Sequence, residues 1–169
     1  MTFAHSWMGV AFGAVFTALM AVAAAYDLRE RRIPNAVVLA TAATGAVFTI
    51  LTLGIRALVF RFLGGAATGL VIWLPFWWAG LMGAGDVKIF AAAAAWLGPA
   101  AALGAAVLTA LAGGILGLAW IVVVHRGRTA APSPGADAVQ KKRSRMTVPY
   151  GVAMAVGLTM AAWVPRLVH

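Results

Sequence analysis

Cysteine is absent from the 169-residue chain, which excludes disulfide bonds, thiolate metal sites and cysteine nucleophiles. Charge is also scarce, because 10% of the residues are charged, whereas about 25% is usual in soluble domains. The three histidines lie far apart along the chain and predict neither a metal site nor a metal cofactor. Acidic residues are the scarcest charged group, and the chain has only four of them: Asp27, Glu30, Asp86 and Asp137.

Hydrophobic residues make up 63% of the chain, and its mean hydropathy is +0.95. A domain of this size has too little interior to bury so much apolar surface in water, so we expect it to lie in lipid. Because about 20 helical residues cross the hydrocarbon core, the uncharged stretches predict the transmembrane spans. The longest stretch, 89–124, exceeds one span and is expected to break at Gly98-Pro99. The sequence therefore predicts an all-α membrane bundle of about six helices in one domain, residues 1–169, with spans at 6–26, 36–55, 62–82, 85–97, 100–124 and 147–165.

Basic residues outnumber acidic ones, and the formal net charge is +9. In a soluble chain this charge would suggest a nucleic-acid partner, but in a membrane protein it is typical of cytoplasmic loops, so we expect no nucleic acid. With the N-terminus outside, most of the 13 basic residues fall on the cytoplasmic side. Residues 126–146 are polar and basic, which predicts a flexible cytoplasmic loop. This loop either binds anionic lipid head groups or serves only to fix the topology.

Two of the acids, Asp27 and Asp86, are predicted at the cytoplasmic ends of spans. The fourth span is short, at about 20 Å, so Asp86 would lie below the membrane surface, where a carboxylate needs water or a partner. Each carboxylate could simply pair with a basic neighbour, Arg29 or Lys88. Alternatively, two carboxyls that share one proton can activate water for hydrolysis, or relay a proton or cation. Spacing alone does not decide between hydrolysis and transport.

Three sequence motifs contain or accompany these acids. Residues 27–35, DLRERRIPN, fit D-x-R-x-x-x-I-P-N at every fixed position, and residues 83–88, GAGDVK, fit G-x-G-D-x-K. Pro149-Tyr150-Gly151 opens the last span and fits P-[FY]-G. With these motifs in this order, the chain resembles the type IV prepilin peptidases, a family of intramembrane aspartic proteases, and in particular their short form that serves Flp/Tad pilus systems.

The resemblance implies that Asp27 and Asp86 are the catalytic pair. It also implies supporting or substrate-binding roles for six residues at other motif positions: Arg29, Pro34, Asn35, Gly83, Gly85 and Lys88. The expected partners are membrane lipids and a prepilin or pilin-like precursor, whose basic leader stays in the cytoplasm and is cut off at the membrane boundary. The enzyme would be a multi-pass protein of the bacterial cytoplasmic membrane and would need no cofactor.

Long members of the family carry an additional cytoplasmic domain with paired C-x-x-C motifs, which is linked to N-methylation of the mature pilin. This chain has no cysteine and no insertion of that size between its first two spans, so we expect a peptidase without methyltransferase activity. Two other interpretations of the sequence remain open. One is a small proton-coupled or cation-coupled transporter that uses the same acids, and the other is a non-catalytic membrane subunit in which the acids pair with Arg29 and Lys88.

Overall fold

A computed structural model describes residues 7–127 and 150–163, and all regular structure in these two ranges is helical. The all-α fold with six helices is thereby confirmed. Four of the helices are long and apolar enough to cross a membrane, and most of the predicted loop at 126–146 lies outside the described residues. The helices are α1 (Trp7–Glu30), α2 (Asn35–Leu53), α3 (Gly64–Trp78, preceded by a π-helical segment, Leu58–Leu63), α4 (Ala84–Leu97), α5 (Pro99–Gly127) and α6 (Tyr150–Trp163).

Helix α1 is longer than its prediction, because it ends at Glu30 rather than at residue 26 and so contains Asp27 in its last turn. The prediction stopped at the first charged residue, but a helix continues past such a residue when its backbone stays hydrogen-bonded. The helix ends before Arg31, which has a left-handed φ of 51° and donates its N–H to the Asp27 carbonyl at 3.0 Å. Pro34 cannot continue α1 and lies at the N-cap of α2. A short connection, 31–34, therefore separates the first two helices.

Helix α3 also differs from its prediction, because it begins with the π-helical segment and ends four residues earlier than predicted, at Trp78 instead of residue 82. Gly80 has a φ of 73°, and this left-handed residue ends the helix. Its N–H donates to the Trp77 carbonyl at 2.9 Å, and the next residue, Leu81, bonds back into the last turn. These bonds satisfy the last carbonyls of α3 and turn the chain towards the start of α4.

Helix α4 is the centre of the bundle and contacts α2, α3, α5 and α6. Every side chain from Ile89 to Leu97 is buried, and most of this stretch is alanine. Small side chains let neighbouring helices approach closely. On α3, for example, a Cβ at Gly69 would lie only 3.0 Å from the Ala91 Cα, so the glycine allows α3 and α4 to pack closely there. Gly98, with a φ of 84°, and Pro99 form the break between α4 and α5 that the sequence predicted.

An aromatic cluster, made of Phe16, Phe48 and Trp96, lies near the break between α4 and α5. Trp96 stacks on Phe48 of α2 at a centroid distance of 5.5 Å and makes an edge contact with Phe16 of α1 at 5.3 Å. Its indole N–H donates a 2.7 Å hydrogen bond to the Thr41 carbonyl. A Cβ at Gly45 would lie 2.5 Å from the same ring, so the cluster depends on this glycine. We call this the aromatic end of the bundle, and we call the other end, where α1 ends and α4 begins, the acidic end.

Candidate active site

Asp27 lies in the last turn of α1, with 8% of its surface exposed. Its Oδ2 accepts a 2.8 Å hydrogen bond from the backbone N–H of Gly151, in the first turn of α6. That N–H is free to donate because the first amides of a helix have no partner within the helix. A Cβ at position 151 would lie 2.7 Å from both Cβ and Oδ2 of Asp27, closer than real side chains approach. Helix α6 can therefore hold Asp27 in this way only because its second residue is glycine.

Asp86 is the third residue of α4 and is partly buried. Gly83 is the N-cap of this helix, and its carbonyl accepts the Asp86 N–H at 3.1 Å. A Cβ at Gly83 would lie 3.1 Å from Oδ2 of Asp86, so the glycine leaves open the space beside the carboxyl. The unpaired amides at the start of a helix also make this a favourable position for a carboxylate.

The structure brings the two predicted catalytic residues together. Asp27 and Asp86 are near enough for their charges to interact, although they lie far apart in sequence. Ile33, in the connection after α1, is buried and lies beside Gly85, where a Cβ would be 3.4 Å from the Ile33 Cβ. The charge of Arg31, in the same connection, also acts on Asp27. The ends of α1, α4 and α6 thus meet around two carboxyls at the acidic end.

The six residues with predicted supporting roles all belong to the segments around this pair. Two of them, Pro34 and Gly85, are partly buried, and the other four are exposed: Arg29, Asn35, Gly83 and Lys88. Asn35 is the first residue of α2, and no side-chain hydrogen bond caps this helix start. Within the parts of the chain that the structure describes, neither Arg29 nor Lys88 forms an ion pair with a carboxylate of the acidic end.

Gly151 is a site residue that the sequence motifs did not identify. The P-[FY]-G motif contains Gly151, but the motif alone does not reveal which distant side chain accepts a hydrogen bond from the Gly151 amide. Gly151 and Asp27 are 124 positions apart, so their contact depends on the packing of α6 against α1. The signal in the sequence was the glycine itself, since its missing Cβ allows the close approach.

The chemistry available at the acidic end is that of two neighbouring carboxyls. Over residues 7–127 and 150–163, no three side chains of metal-ligating type lie together. A carboxylate can accept a proton from water, and a protonated carboxyl can donate one to a carbonyl oxygen or a leaving group. A pair of this kind, next to glycines that leave space for a peptide backbone, is suited to acid–base hydrolysis of an amide.

The profile of the type IV leader peptidase family matches residues 14–118, which include both carboxyls of the acidic end. Among curated proteins, the chain is similar to the prepilin leader peptidase/N-methyltransferase of Xanthomonas campestris pv. campestris, with 33% identity over 140 residues. The alignment covers 78% of the chain and 47% of the relative, so the chain spans about half the length of this curated relative. No solved structure matches the chain. Because the profile covers more than half of the sequence, the chain belongs to the type IV leader peptidase family.

Proposed function

We propose that this chain is a membrane-embedded aspartic endopeptidase that removes the leader peptide from type IV prepilins of the Flp-like class. The observation that carries the proposal is the meeting of Asp27 and Asp86 at one end of the bundle, each beside a glycine. Membership of the leader peptidase family supports the substrate class, as does the similarity to a protein named prepilin leader peptidase. Under this proposal residues 1–169 act as a single membrane peptidase domain.

In the proposed reaction, a water molecule between the two carboxyls attacks the carbonyl carbon of the scissile peptide bond. The ionised carboxylate accepts a proton from this water, while the protonated carboxyl donates a proton to the carbonyl oxygen. The tetrahedral diol then collapses: the carboxyl that accepted the water proton donates it to the leaving nitrogen, the C–N bond breaks, and a diol hydroxyl returns its proton to the other carboxylate. Asp27 is oriented for this chemistry by the Gly151 N–H on its Oδ2. Gly83 and Gly85 leave room for an extended substrate backbone.

We infer that the acidic end faces the cytoplasm, with the chain in the bacterial cytoplasmic membrane. Exposed Arg29, Arg32 and Lys88 at this end support the orientation through the positive-inside rule. In this orientation a basic prepilin leader meets the carboxyls without crossing the membrane, and the exposed cations are available for lipid phosphates. A tag within 131–135 is expected to report the cytoplasm and a tag after His169 the other side. A periplasmic location of the 131–135 tag would contradict the orientation.

The surroundings of the carboxyls favour hydrolysis over transport. A proton or cation relay needs polar groups along its path through the membrane. From Asp86 towards the aromatic end, α4 instead continues with the buried hydrophobic stretch Ile89–Leu97. The alternative of a non-catalytic subunit expects the acids to pair with Arg29 and Lys88, and neither pair forms among the described residues. Local chemistry at the acidic end is therefore the better supported role.

We also propose that the chain lacks N-methyltransferase activity, which the name of its curated relative includes. The chain has no cysteine, and only residues 31–34 connect α1 and α2, which leaves no space there for a C-x-x-C domain. Incubation with a prepilin and labelled S-adenosylmethionine should yield cleaved pilin without label. Transfer of label to the new N-terminus by this chain alone would contradict the proposal.

Co-expression with a Flp-like prepilin tests the proposed peptidase. We expect the wild-type chain to remove the leader, which mass spectrometry detects as a shorter pilin with a new N-terminus, and Asp86→Asn to leave the precursor intact. Glu30→Gln is the matched control, because Glu30 is exposed on the same helix end as Asp27, and this variant should cleave normally. If a correctly inserted wild-type chain left both the Flp-like prepilin and other type IV prepilins intact, the proposal would be overturned. Cleavage restricted to other type IV prepilins would overturn only its Flp-like part.

A further inference from the structure

Arg31 has an unusual backbone conformation, directly after the end of α1. Among the residues that the structure describes, it is the one non-glycine residue with a positive φ, at 51°. Helices often end on a left-handed residue, but this residue is usually glycine, because a Cβ makes the conformation costly. The chain uses glycine where φ is positive after α2, α3 and α4, at Gly54, Gly80 and Gly98. A strained arginine after α1 therefore points to a function that glycine cannot serve.

The backbone of Arg31 is held on both sides. Its own N–H donates to the carbonyl of Asp27 at 3.0 Å, one turn earlier in α1. Two residues later, Ile33 is buried beside Gly85, which directly precedes Asp86 in α4. Arg31 is thus fixed between the helix end that contains one carboxyl and the helix start that contains the other.

The charges around the two carboxyls differ. The exposed side chain of Arg31 acts on Asp27 with its positive charge, and among the described residues the two form no ion pair, so this charge acts through space. The charge that acts on Asp86, within the described ranges, is the negative charge of Asp27. Helices α2 and α6, which also pack against α1, contain no charged residue over 35–53 and 150–163. A cation therefore acts on one member of the pair and an anion on the other.

Helix amides do not distinguish the two carboxyls. Asp27 accepts an N–H from the first turn of α6, and Asp86 lies in the first turn of α4. Each carboxyl therefore lies at a helix N-terminus, which favours a negative charge. The difference that remains is the cation beside Asp27. In a pair that shares one proton, a nearby cation favours the arrangement in which the carboxyl closer to it is ionised.

We propose that Arg31 is a positioning residue that keeps Asp27 ionised, so that Asp27 accepts the proton from water and Asp86 donates one to the carbonyl oxygen. This inference rests on the proposed function. It also explains the strained backbone, since glycine would fit the turn but carries no charge. Arg31 occupies a variable position of D-x-R-x-x-x-I-P-N, so the motif does not identify it.

The pH dependence of kcat/KM tests the proposal, measured with the purified full chain and a Flp-like prepilin. Arg31→Gln removes the charge, so Asp27 ionises less readily and the acidic limb of the profile should move to higher pH by about half a unit or more. On that limb kcat/KM should then fall by about threefold or more. Arg31→Lys keeps the charge and should keep the wild-type profile. Arg32→Gln is the matched control, because it removes the same charge from the next exposed residue, and its profile should not move.

Arg31→Gly separates this role from a purely structural one. Glycine adopts a φ of 51° without strain, so the midpoint of thermal unfolding in detergent should be no lower than that of the wild type. The pH profile should nevertheless shift as it does in Arg31→Gln. If Arg31→Gly keeps the wild-type profile, or loses activity together with thermal stability, the proposed role of Arg31 is wrong.

The remaining outcomes distinguish this role from the proposed function. A wild-type profile in Arg31→Gln, or equal shifts in Arg31→Gln and Arg32→Gln, would overturn the role of Arg31 and leave the peptidase proposal standing. If the wild type cleaves no prepilin at any pH, the proposed function fails, and the role of Arg31 fails with it.

Discussion

Two buried tryptophans of the bundle have contrasting surroundings. Trp96, at the aromatic end, is 1% exposed, donates its N–H to the Thr41 carbonyl and packs against rings from α1 and α2. Trp73, nearer the acidic end, is 5% exposed, but its N–H has no partner within the described ranges and its ring borders an open groove. The hydrogen-bonding capacity of one tryptophan is satisfied inside the fold, whereas no described residue pairs with the N–H of the other. The aromatic end is thus closed by contacts within the fold, whereas under the proposed function the acidic end holds the reacting groups.

Glycines show the same division between the two ends. Gly45 makes room for the ring of Trp96, so its missing side chain serves packing. Gly151 and Gly83 instead border the carboxyls of Asp27 and Asp86, so their missing side chains keep the site open. A substitution with the same chemistry, glycine to alanine, should therefore affect stability at one end and catalysis at the other.

Among the glycine and tryptophan substitutions that compare the two ends, the largest effect is expected from Gly151→Ala. The added Cβ would press on Asp27 and move its carboxyl, and a displacement of about 1 Å in an active site can lower the rate by about 10²-fold. We expect kcat for prepilin cleavage to fall by about this factor, measured with purified protein in detergent. Gly117→Ala is the control, because a Cβ there meets nothing within 4 Å, and it should match the wild type. A normal kcat in Gly151→Ala would show that Gly151 does not orient Asp27.

Gly45→Ala should instead lower the stability of the bundle and leave catalysis unchanged. A Cβ 2.5 Å from the buried Trp96 ring forces the aromatic cluster apart, and overpacking of this kind costs about 1–3 kcal/mol of unfolding free energy. We expect a lower midpoint of thermal unfolding in detergent, with an unchanged KM for the fraction that remains folded. Unchanged stability together with lost activity would contradict the assignment of the aromatic end to stability.

The smallest expected effect is the difference in unfolding free energy between Trp96→Phe and Trp73→Phe. Both variants lose the same atoms from a buried site, but only the first breaks a hydrogen bond, which contributes about 1 kcal/mol net. Trp96→Phe should therefore lower the free energy of unfolding by about 1 kcal/mol more than Trp73→Phe does. If denaturation experiments showed equal losses of unfolding free energy for the two variants, the contrast between the two tryptophans would be contradicted.

The helical bundle was largely predictable because charge and hydropathy report where a chain can cross lipid. The break at Gly98-Pro99 followed from the length of the uncharged stretch. The ends of α1 and α3 were predicted less well, because the left-handed residues Arg31 and Gly80 determine them, and hydropathy does not register backbone conformation.

The two carboxyls and motif residues beside them, such as Gly83, could be proposed from the sequence, but contacts with residues distant in the sequence could not. The contact of Gly151 with Asp27 and the unpaired N–H of Trp73 arise only when distant helices pack together. From the sequence, Trp73 is one of seven tryptophans in an apolar chain and has the pattern of a lipid-facing anchor. Its burial beside Phe90 is a property of the tertiary fold.

Cleavage of a purified Flp-like prepilin by Asp27→Asn, Asp86→Asn and the double variant tests most directly whether the two carboxyls form one catalytic unit. Asparagine keeps the volume of each side chain but cannot exchange the proton, so each single variant should lose roughly 10³-fold or more in kcat. The double variant should be no slower than either single one, because groups that act together are not additive. Glu30→Gln should keep the wild-type rate. A wild-type kcat in Asp86→Asn, with the protein correctly inserted, would contradict the aspartic protease mechanism.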